Sequence, residues 1–236
     1  MVTDTAAFAG FRPEAIDFLA DLAQNNERAW FQPRKDDYER LLKAPMEALV
    51  VALADRFEAR SIPLEADPKR SVSRIYRDTR FAKDKSPYKR NIYARFPWVG
   101  PGTDHDASED GPHGASAYFS LMPGESYMGG GMWAPEKPRL DAFRAAIVDE
   151  PHRVRAGLED PAFLEAFGPV HSHESLKRVP AGLPADHPLA DMFRYKDVVF
   201  GRQLSDDEIR SPDLPDILAD GYAAAVPVFG FLSTLG

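Results

Sequence analysis

The residue types best suited to chemistry are concentrated in residues 69–90, which we call the basic segment. It contains nine Lys and Arg residues and two aspartates, a net charge of +7, whereas the 236-residue chain has a net charge of −8. The rest of the chain therefore carries −15. Guanidinium groups bind phosphates and carboxylates through paired hydrogen bonds, and lysines act as point charges. This segregation predicts a local positive field in an acidic protein.

The basic segment therefore predicts an anion-binding site. The side chains that we expect to bind the anion are those of Arg74, Arg77, Arg80, Lys83, Lys85 and Lys89. Tyr76 or Tyr88 would orient the ligand, because both lie between the cations in the sequence. Asp78 and Asp84 would hold the cationic side chains in place, or one of them would serve as a base if it is buried among the cations.

Two other interpretations of the basic segment remain open. It can neutralise acidic helices packed against it through Arg–Asp networks that are purely structural. It can also form an exposed surface for RNA or an acidic protein, because aromatic residues that alternate with Arg and Lys can stack bases. The negative net charge makes nucleic-acid binding the least favoured of the three without excluding it.

Two further groups could complete an anion site. Gly129, Gly130 and Gly131 precede Trp133, and they form either a floor for the basic pocket or a bulge that allows close packing. The second group consists of Lys177, Arg178 and Lys196, with His187 as a candidate acid or base. A histidine directly before a proline is also typical of a turn.

The sequence contains no clear motif for a metal or cofactor. It has no cysteine, which removes thiol nucleophiles, disulfides and zinc–thiolate sites. His171, His173 and Glu174 are close together but lack a recognised metal-ligand spacing. No Gly-Lys-Ser/Thr follows the three glycines, so they are not a phosphate-binding loop. We therefore expect no metal and no cofactor, and the residues do not define a reaction.

Three regions must position these residues, and together they predict an α+β fold. Apolar residues at helical spacing occur in residues 1–60 and again in residues 138–236, with Pro13 as a helix start and a kink expected at Pro45. Residues 70–133 contain short runs typical of strands. We expect strands at residues 71–76, 92–99, 115–122 and 126–133, and one more at 196–204.

The expected architecture is a single domain over residues 1–236, with N-terminal helices, a central antiparallel sheet of about four to five strands, and C-terminal helices. Pro123, Gly124 and Glu125 predict a hairpin turn. Ser205 and Glu208 predict a capping box at a helix start. Residues 100–114 are almost without apolar residues and predict a long loop.

The sequence also resembles a known family. Residues 74–89 are similar to the signature of the family called domain of unknown function 2461. Further motifs occur in that family's order, namely residues 11–14, 25–26, 30–31, 129–133, 176–180, 186–188 and 195–197. The resemblance covers nearly the whole chain, apart from the loop at residues 100–114. As the name of the family says, it implies no reaction, cofactor or substrate.

We expect a cytoplasmic protein that binds a phosphorylated or carboxylated small molecule, with an unknown reaction. The N-terminus has no basic stretch of a signal peptide. The longest apolar run, residues 48–54, is far shorter than the ~20 residues that span a membrane. The alternative is a non-enzymatic module that presents the basic segment to RNA or to an acidic protein. The sequence does not indicate an oligomeric state.

Overall fold

A computed structural model of the protein describes residues 7–80, 82–102 and 114–235. Phe81 of the basic segment and residues 103–113 of the predicted loop lie outside the described residues. The helices are α1 (Pro13–Gln24), α2 (Arg28–Phe31), α3 (Lys35–Tyr38), α4 (Ala44–Ala59), α5 (Pro68–Ser71), α6 (Lys137–Asp149), α7 (Pro151–Leu158), α8 (Pro161–Phe167), α9 (Asp206–Arg210), α10 (Leu214–Ala224) and α11 (Val226–Ser233). The strands are β1 (Ile92–Pro97), β2 (Ser116–Leu121), β3 (Tyr127–Met132) and β4 (Val198–Gln203).

The strands form one antiparallel sheet in the order β1-β2-β3-β4. The turn between β2 and β3 is the predicted hairpin, in which the N–H of Glu125 donates to the carbonyl of Met122 at 3.2 Å. Gly124 in this turn has a φ of +72°, a conformation that favours glycine. The α+β class and the order of helices, sheet and helices are confirmed, and the sheet has four strands.

Local sequence signals explain where the helices begin and bend. Pro13 occupies the first turn of α1, whose Phe18, Leu19 and Leu22 are buried. Ser205 and Glu208 form the predicted capping box of α9. Pro45 lies in the first turn of α4, which follows directly on a π-helical turn over Glu39–Lys43.

One face of the sheet belongs to the core. Helix α4 contacts β1, α11 contacts β3 and α8 contacts β4. The strand residues on this face are buried, and they are Ile92, Ala94, Phe96, Ala117, Phe119, Leu121, Met128, Met132, Val198 and Phe200. They join one continuous apolar cluster with residues of the N-terminal and C-terminal helices. Because side chains alternate along a strand, the residues between them lie on the opposite face.

The strand predicted at residues 71–76 is wrong. Ser71 ends α5, and the rest of this stretch forms single bridges, Val72 with Ala94 and Tyr76 with Tyr88. The N–H of Tyr93 donates to the side-chain hydroxyl of Ser73 at 3.1 Å instead of to a main-chain carbonyl. The ladder with β1 therefore stops after one bridge, and the chain turns to pair with residues 87–89.

Within the described residues, no single helix has both the length and the apolar composition needed to cross a membrane. The adjacent helices α10 and α11 meet these criteria only as a pair, and the pair is bent by 53°.

Candidate functional site

A cavity of about 770 Å³ lies on the face of the sheet that does not belong to the core. Its floor is built from residues of all four strands. One wall comes from residues 70–74 and Lys89 of the basic segment, and another comes from His171 and His173. The sheet thus brings together two segments that the sequence analysis treated separately.

Three tyrosines form the aromatic part of the floor. The ring centroids of Tyr93 and Tyr118 are 4.9 Å apart, and those of Tyr118 and Tyr127 are 5.5 Å apart. Burial raises the pKa of Tyr118 and of Tyr127 above the ordinary value. Both phenols are therefore protonated at neutral pH and can donate hydrogen bonds. These tyrosines were not among the predicted site residues.

The three glycines of β3 form a part of the floor that has no side chains. Gly130 and Gly131 line the cavity, and Gly129 pairs with Gly201 of β4. A Cβ atom on Gly129 would lie 2.2 Å from the carbonyl oxygen of Phe200, and one on Gly131, whose φ is +123°, would lie 2.2 Å from that of Val198. The run therefore has the close packing that was one of its two expected roles, and it also borders the cavity.

The basic wall contains two of the predicted anion-binding residues. Arg74 and Lys89 line the cavity, together with Arg70 and Arg95, which were not predicted as site residues. The Lys89 Nζ lies 4.6 Å from the centroid of the Tyr93 ring, and it donates to the Tyr93 hydroxyl at 3.3 Å. A cation above an aromatic face is held electrostatically. The wall thus presents cationic side chains beside an aromatic floor.

A fifth cation, Arg202, lines the cavity from β4 and pairs with Glu208 at 2.9 Å. Arg70 is paired as well, with Glu65 and with Asp67. Among the described residues that line the cavity, Glu125 is the one carboxylate.

The other predicted cations of the basic segment do not line the cavity. Arg77 pairs with Asp84 at 2.8 Å, and Arg80 pairs with Asp78 at 2.6 Å. The Lys85 Nζ donates to the carbonyl of Thr79 at 2.8 Å. Lys83 is exposed.

The two predicted aspartates hold neighbouring groups. The hydrogen bond from Arg80 lowers the pKa of Asp78 to about 2. Hydrogen bonds from Ser86, followed by that from Arg77, lower the pKa of Asp84 well below its usual range. These ion pairs join residues of the basic segment to one another.

The predicted aromatic residues differ in their position relative to the cavity. Tyr88 is fully buried, and its ring stacks on Phe31 at 4.2 Å. Tyr76 is exposed, and neither tyrosine lines the cavity. Trp133 is 54% exposed and does line it.

The second basic group is not at the cavity. Lys177 and Arg178 are exposed, and the Lys196 Nζ pairs with Glu174 at 2.8 Å. The Nδ1 atom of His187 accepts a hydrogen bond from the N–H of Leu189 at 3.1 Å, as in a turn. None of the four predicted residues of this group lines the cavity.

His171 and His173 form the wall at the β4 edge. His171 makes a bridge with Val199, and its ring centroid is 5.7 Å from that of His173. The His173 Nδ1 lies 3.3 Å from Oδ2 of Asp197, a buried residue. The Trp133 ring meets the His173 ring edge-to-face at 4.6 Å. The sequence signal for Asp197 was its position directly before the apolar run of β4.

Metal binding finds no support in the part of the chain that the structure describes. Within it, no group of three or more His, Cys, Asp or Glu side chains could hold a metal ion. His171 and His173 are thus a pair of histidines in a cavity wall without a third ligand among the described residues.

Together, fold and cavity define an α+β protein with a cation-rich cavity on the free face of an antiparallel sheet. The chain belongs to the family described as conserved hypothetical protein (DUF2461), whose model matches residues 14–231. This match confirms the resemblance carried by the basic segment and the other motifs. No curated protein and no solved structure matches the chain.

Proposed function

We propose that the protein binds a small phosphorylated or carboxylated molecule in the cavity over the sheet. The observation that carries this proposal is the charge of the lining. Five Arg and Lys side chains and one carboxylate are found among the described residues around a single cavity, in a chain of net charge −8. A concentration of cations against the charge of the whole molecule favours an anionic ligand.

The dimensions and composition of the cavity support a small molecule. A volume of about 770 Å³ lies within the range of about 300–1,000 Å³ found for small-molecule sites. Tyr93, Tyr118 and Tyr127 offer aromatic surface to the uncharged part of the ligand. Arg74, Lys89 and Arg95 offer charge to its anionic part. A concave site of this kind is suited to a small ligand. Binding of RNA or an acidic protein would instead require a flat, exposed surface.

The test is the effect of anions on thermal unfolding. Phosphate, sulfate, citrate and adenosine 5′-monophosphate are added separately to the wild-type protein. At a concentration of 100 times Kd, a ligand stabilises by about 2.7 kcal/mol. For a chain of this length, that raises the Tm by about 5–11 °C. We expect at least one of these anions to give such an increase.

Two variants test whether the increase in Tm comes from anion binding in the cavity. The double variant Arg74→Ala/Lys89→Ala removes two cations of the cavity wall, and we expect it to lose the increase in Tm. Arg80→Ala is the matched control, because Arg80 belongs to the same segment but is 78% exposed and lies outside the cavity lining. The proposal is wrong if no anion changes the Tm, or if Arg80→Ala abolishes the increase as completely as the double variant.

A further inference from the structure

A buried carboxylate holds one of the histidines of the cavity wall. Asp197 is 6% exposed. Its Oδ1 accepts hydrogen bonds from the Ser172 hydroxyl at 2.7 Å and from the N–H of His173 at 2.9 Å. Its Oδ2 faces the His173 Nδ1 at 3.3 Å. Both oxygens of this buried carboxylate therefore face groups of residues 172–173.

The contact with Asp197 determines which nitrogen of His173 can react. When the Asp197 oxygen accepts the hydrogen bond from Nδ1, the imidazole proton stays on that nitrogen. Nε2 then carries the free lone pair. Because Nδ1 is engaged and the ring lines the cavity, Nε2 is the nitrogen left for a ligand or water. The His173 side chain is 52% exposed, which gives water access to it.

The surroundings of His173 restrict its ring without competing for Nε2. Trp133 contacts the ring edge-to-face at 4.6 Å. His171 lies 5.7 Å away, between ring centroids. The nearby charges of Glu174 and Lys196 are paired with each other at 2.8 Å. A histidine fixed by a carboxylate on one nitrogen, in the wall of a cavity, has the arrangement that general acid–base catalysis requires.

We infer that His173, positioned by Asp197, is the general base and acid of a hydrolytic reaction, and that the substrate is a carboxylic ester that also carries an anionic group. This inference rests on the proposed function, since the cations of the wall would bind the anionic group. Water is the only co-reactant.

Hydrolysis proceeds by proton transfer through His173. The His173 Nε2 takes a proton from water as the water oxygen forms a bond to the ester carbonyl carbon. The carbonyl oxygen carries the negative charge of the tetrahedral intermediate. The bond from carbon to the alcohol oxygen then breaks with its electron pair, and the alcohol oxygen receives the proton from Nε2. The products are the acid and the alcohol, and the histidine returns to its starting state.

The probe is the mono-4-nitrophenyl ester of terephthalic acid, which carries a carboxylate and an aromatic ring. Its neutral counterpart is 4-nitrophenyl 4-methylbenzoate. We expect the protein to hydrolyse the anionic ester with the higher kcat/KM. His173→Gln should lower kcat at least about 100-fold with little change in KM, since acid–base groups contribute about 10²–10⁴. His152→Gln, an exposed histidine of α7 outside the cavity lining, should leave both constants unchanged.

Asp197 has a separate, spectroscopic readout. In Asp197→Asn we expect the ¹⁵N chemical shifts of His173 to show a proton on Nε2, and kcat to fall at least tenfold. Thermal unfolding checks that the variant is folded. If the variant is folded and His173 keeps its proton on Nδ1, the positioning role of Asp197 is overturned.

The failure of this inference can be told apart from that of the proposed function. If anions raise the Tm but the wild type hydrolyses neither ester faster than buffer, hydrolysis is overturned and anion binding stands. If His173→Gln retains wild-type kcat, or the neutral ester is hydrolysed as well as the anionic one, the assignment is overturned too. If no anion changes the Tm, both the binding site and its substrate class fall.

Discussion

The side chain of Asn26 is hydrogen-bonded twice to the main chain of Tyr88, 62 positions later. The Asn26 Nδ2 donates to the Tyr88 carbonyl at 3.0 Å, and the Tyr88 N–H donates to the Asn26 Oδ1 at 3.0 Å. This pair joins the connection between α1 and α2 to the chain directly before Lys89 of the basic wall. The N–H of Lys89 in turn donates to the carbonyl of Ile75 at 2.8 Å. The N-terminal helices therefore fix one wall of the cavity.

Asn26→Ala should lower the stability of the protein. It removes both hydrogen bonds of a half-buried amide, and we expect the free energy of unfolding to fall by about 2 kcal/mol. Thermal unfolding should show a decrease in Tm of about 4–8 °C. Asn25→Ala is the control, because the exposed side chain of Asn25 makes one hydrogen bond within the described part of the chain, to the Asp21 carbonyl. An equal loss in both variants would contradict the role assigned to Asn26.

Tyr88→Phe should raise the stability. The Tyr88 hydroxyl is buried and has no hydrogen-bond partner among the described residues. Removing it takes away a desolvation cost, so we expect a gain of about 1 kcal/mol in the free energy of unfolding. Tyr222→Phe should have the opposite effect, a loss of about 1 kcal/mol, because that hydroxyl donates to the Tyr118 carbonyl at 3.0 Å. Urea unfolding of both variants measures the contrast, which fails if the two changes have the same sign.

Gly129→Ala should disrupt the floor of the cavity. The new Cβ would lie 2.2 Å from the Phe200 carbonyl oxygen, a main-chain atom that moves only if β3 and β4 separate. We expect a loss of about 3 kcal/mol or more.

Gly124→Ala serves as the comparison for Gly129→Ala. No atom of the described residues lies within 4 Å of the new Cβ at Gly124, so the variant has the cost of a φ of +72°. That cost is about 1–2 kcal/mol. Circular dichroism melts of the two variants should therefore differ clearly, and a milder effect at Gly129 would contradict the sheet geometry.

The ion pairs between α4 and α10 should make stability depend on pH. Asp216 pairs with Arg56 at 2.9 Å and also with Arg60. The hydrogen bond from Arg56 lowers the pKa of Asp216 below 3.8. A carboxyl group whose pKa is lower in the folded state stabilises fully above 3.8, and this contribution is lost as the pH falls through the folded-state pKa.

Asp216→Asn should therefore be less stable than wild type at pH 7, by about 1 kcal/mol or less for pairs this exposed. The difference should shrink progressively below pH 3.8. Urea unfolding at pH 7, 4 and 3 measures it. Asp213→Asn is the control, since Asp213 has no ion pair within the part of the chain described. A difference between Asp216→Asn and wild type that is the same at every pH would contradict the assignment.

The sequence predicted most of the fold because apolar spacing reports burial directly. The short strand-like run at residues 92–99 and the turn at Gly124 both correctly predicted features of the sheet. The strand predicted at residues 71–76 failed because spacing does not reveal that the Ser73 hydroxyl replaces a main-chain partner.

The site was predicted less completely than the fold. Arg74 and Lys89 line the cavity as the anion-site hypothesis expected, but Arg80 pairs with Asp78 instead. The sequence alone does not determine whether an Arg or Lys side chain lines the cavity or forms an ion pair with a nearby carboxylate. Tyr93 and Arg95 were missed because strand residues on the non-core face resemble ordinary exposed positions. The type of a strand residue does not reveal which other segments of the chain border that face of the sheet.

Because side chains alternate along a strand, the residues that line the cavity are different from the residues that form the core. Tyr93 and Tyr118 line the cavity, while their neighbours in sequence, Ile92, Ala94, Ala117 and Phe119, pack into the core. These two positions can therefore be randomised together in a combinatorial library with little effect on core packing. Selection on such a library would yield binders for chosen ligands, with the same scaffold beneath each of them.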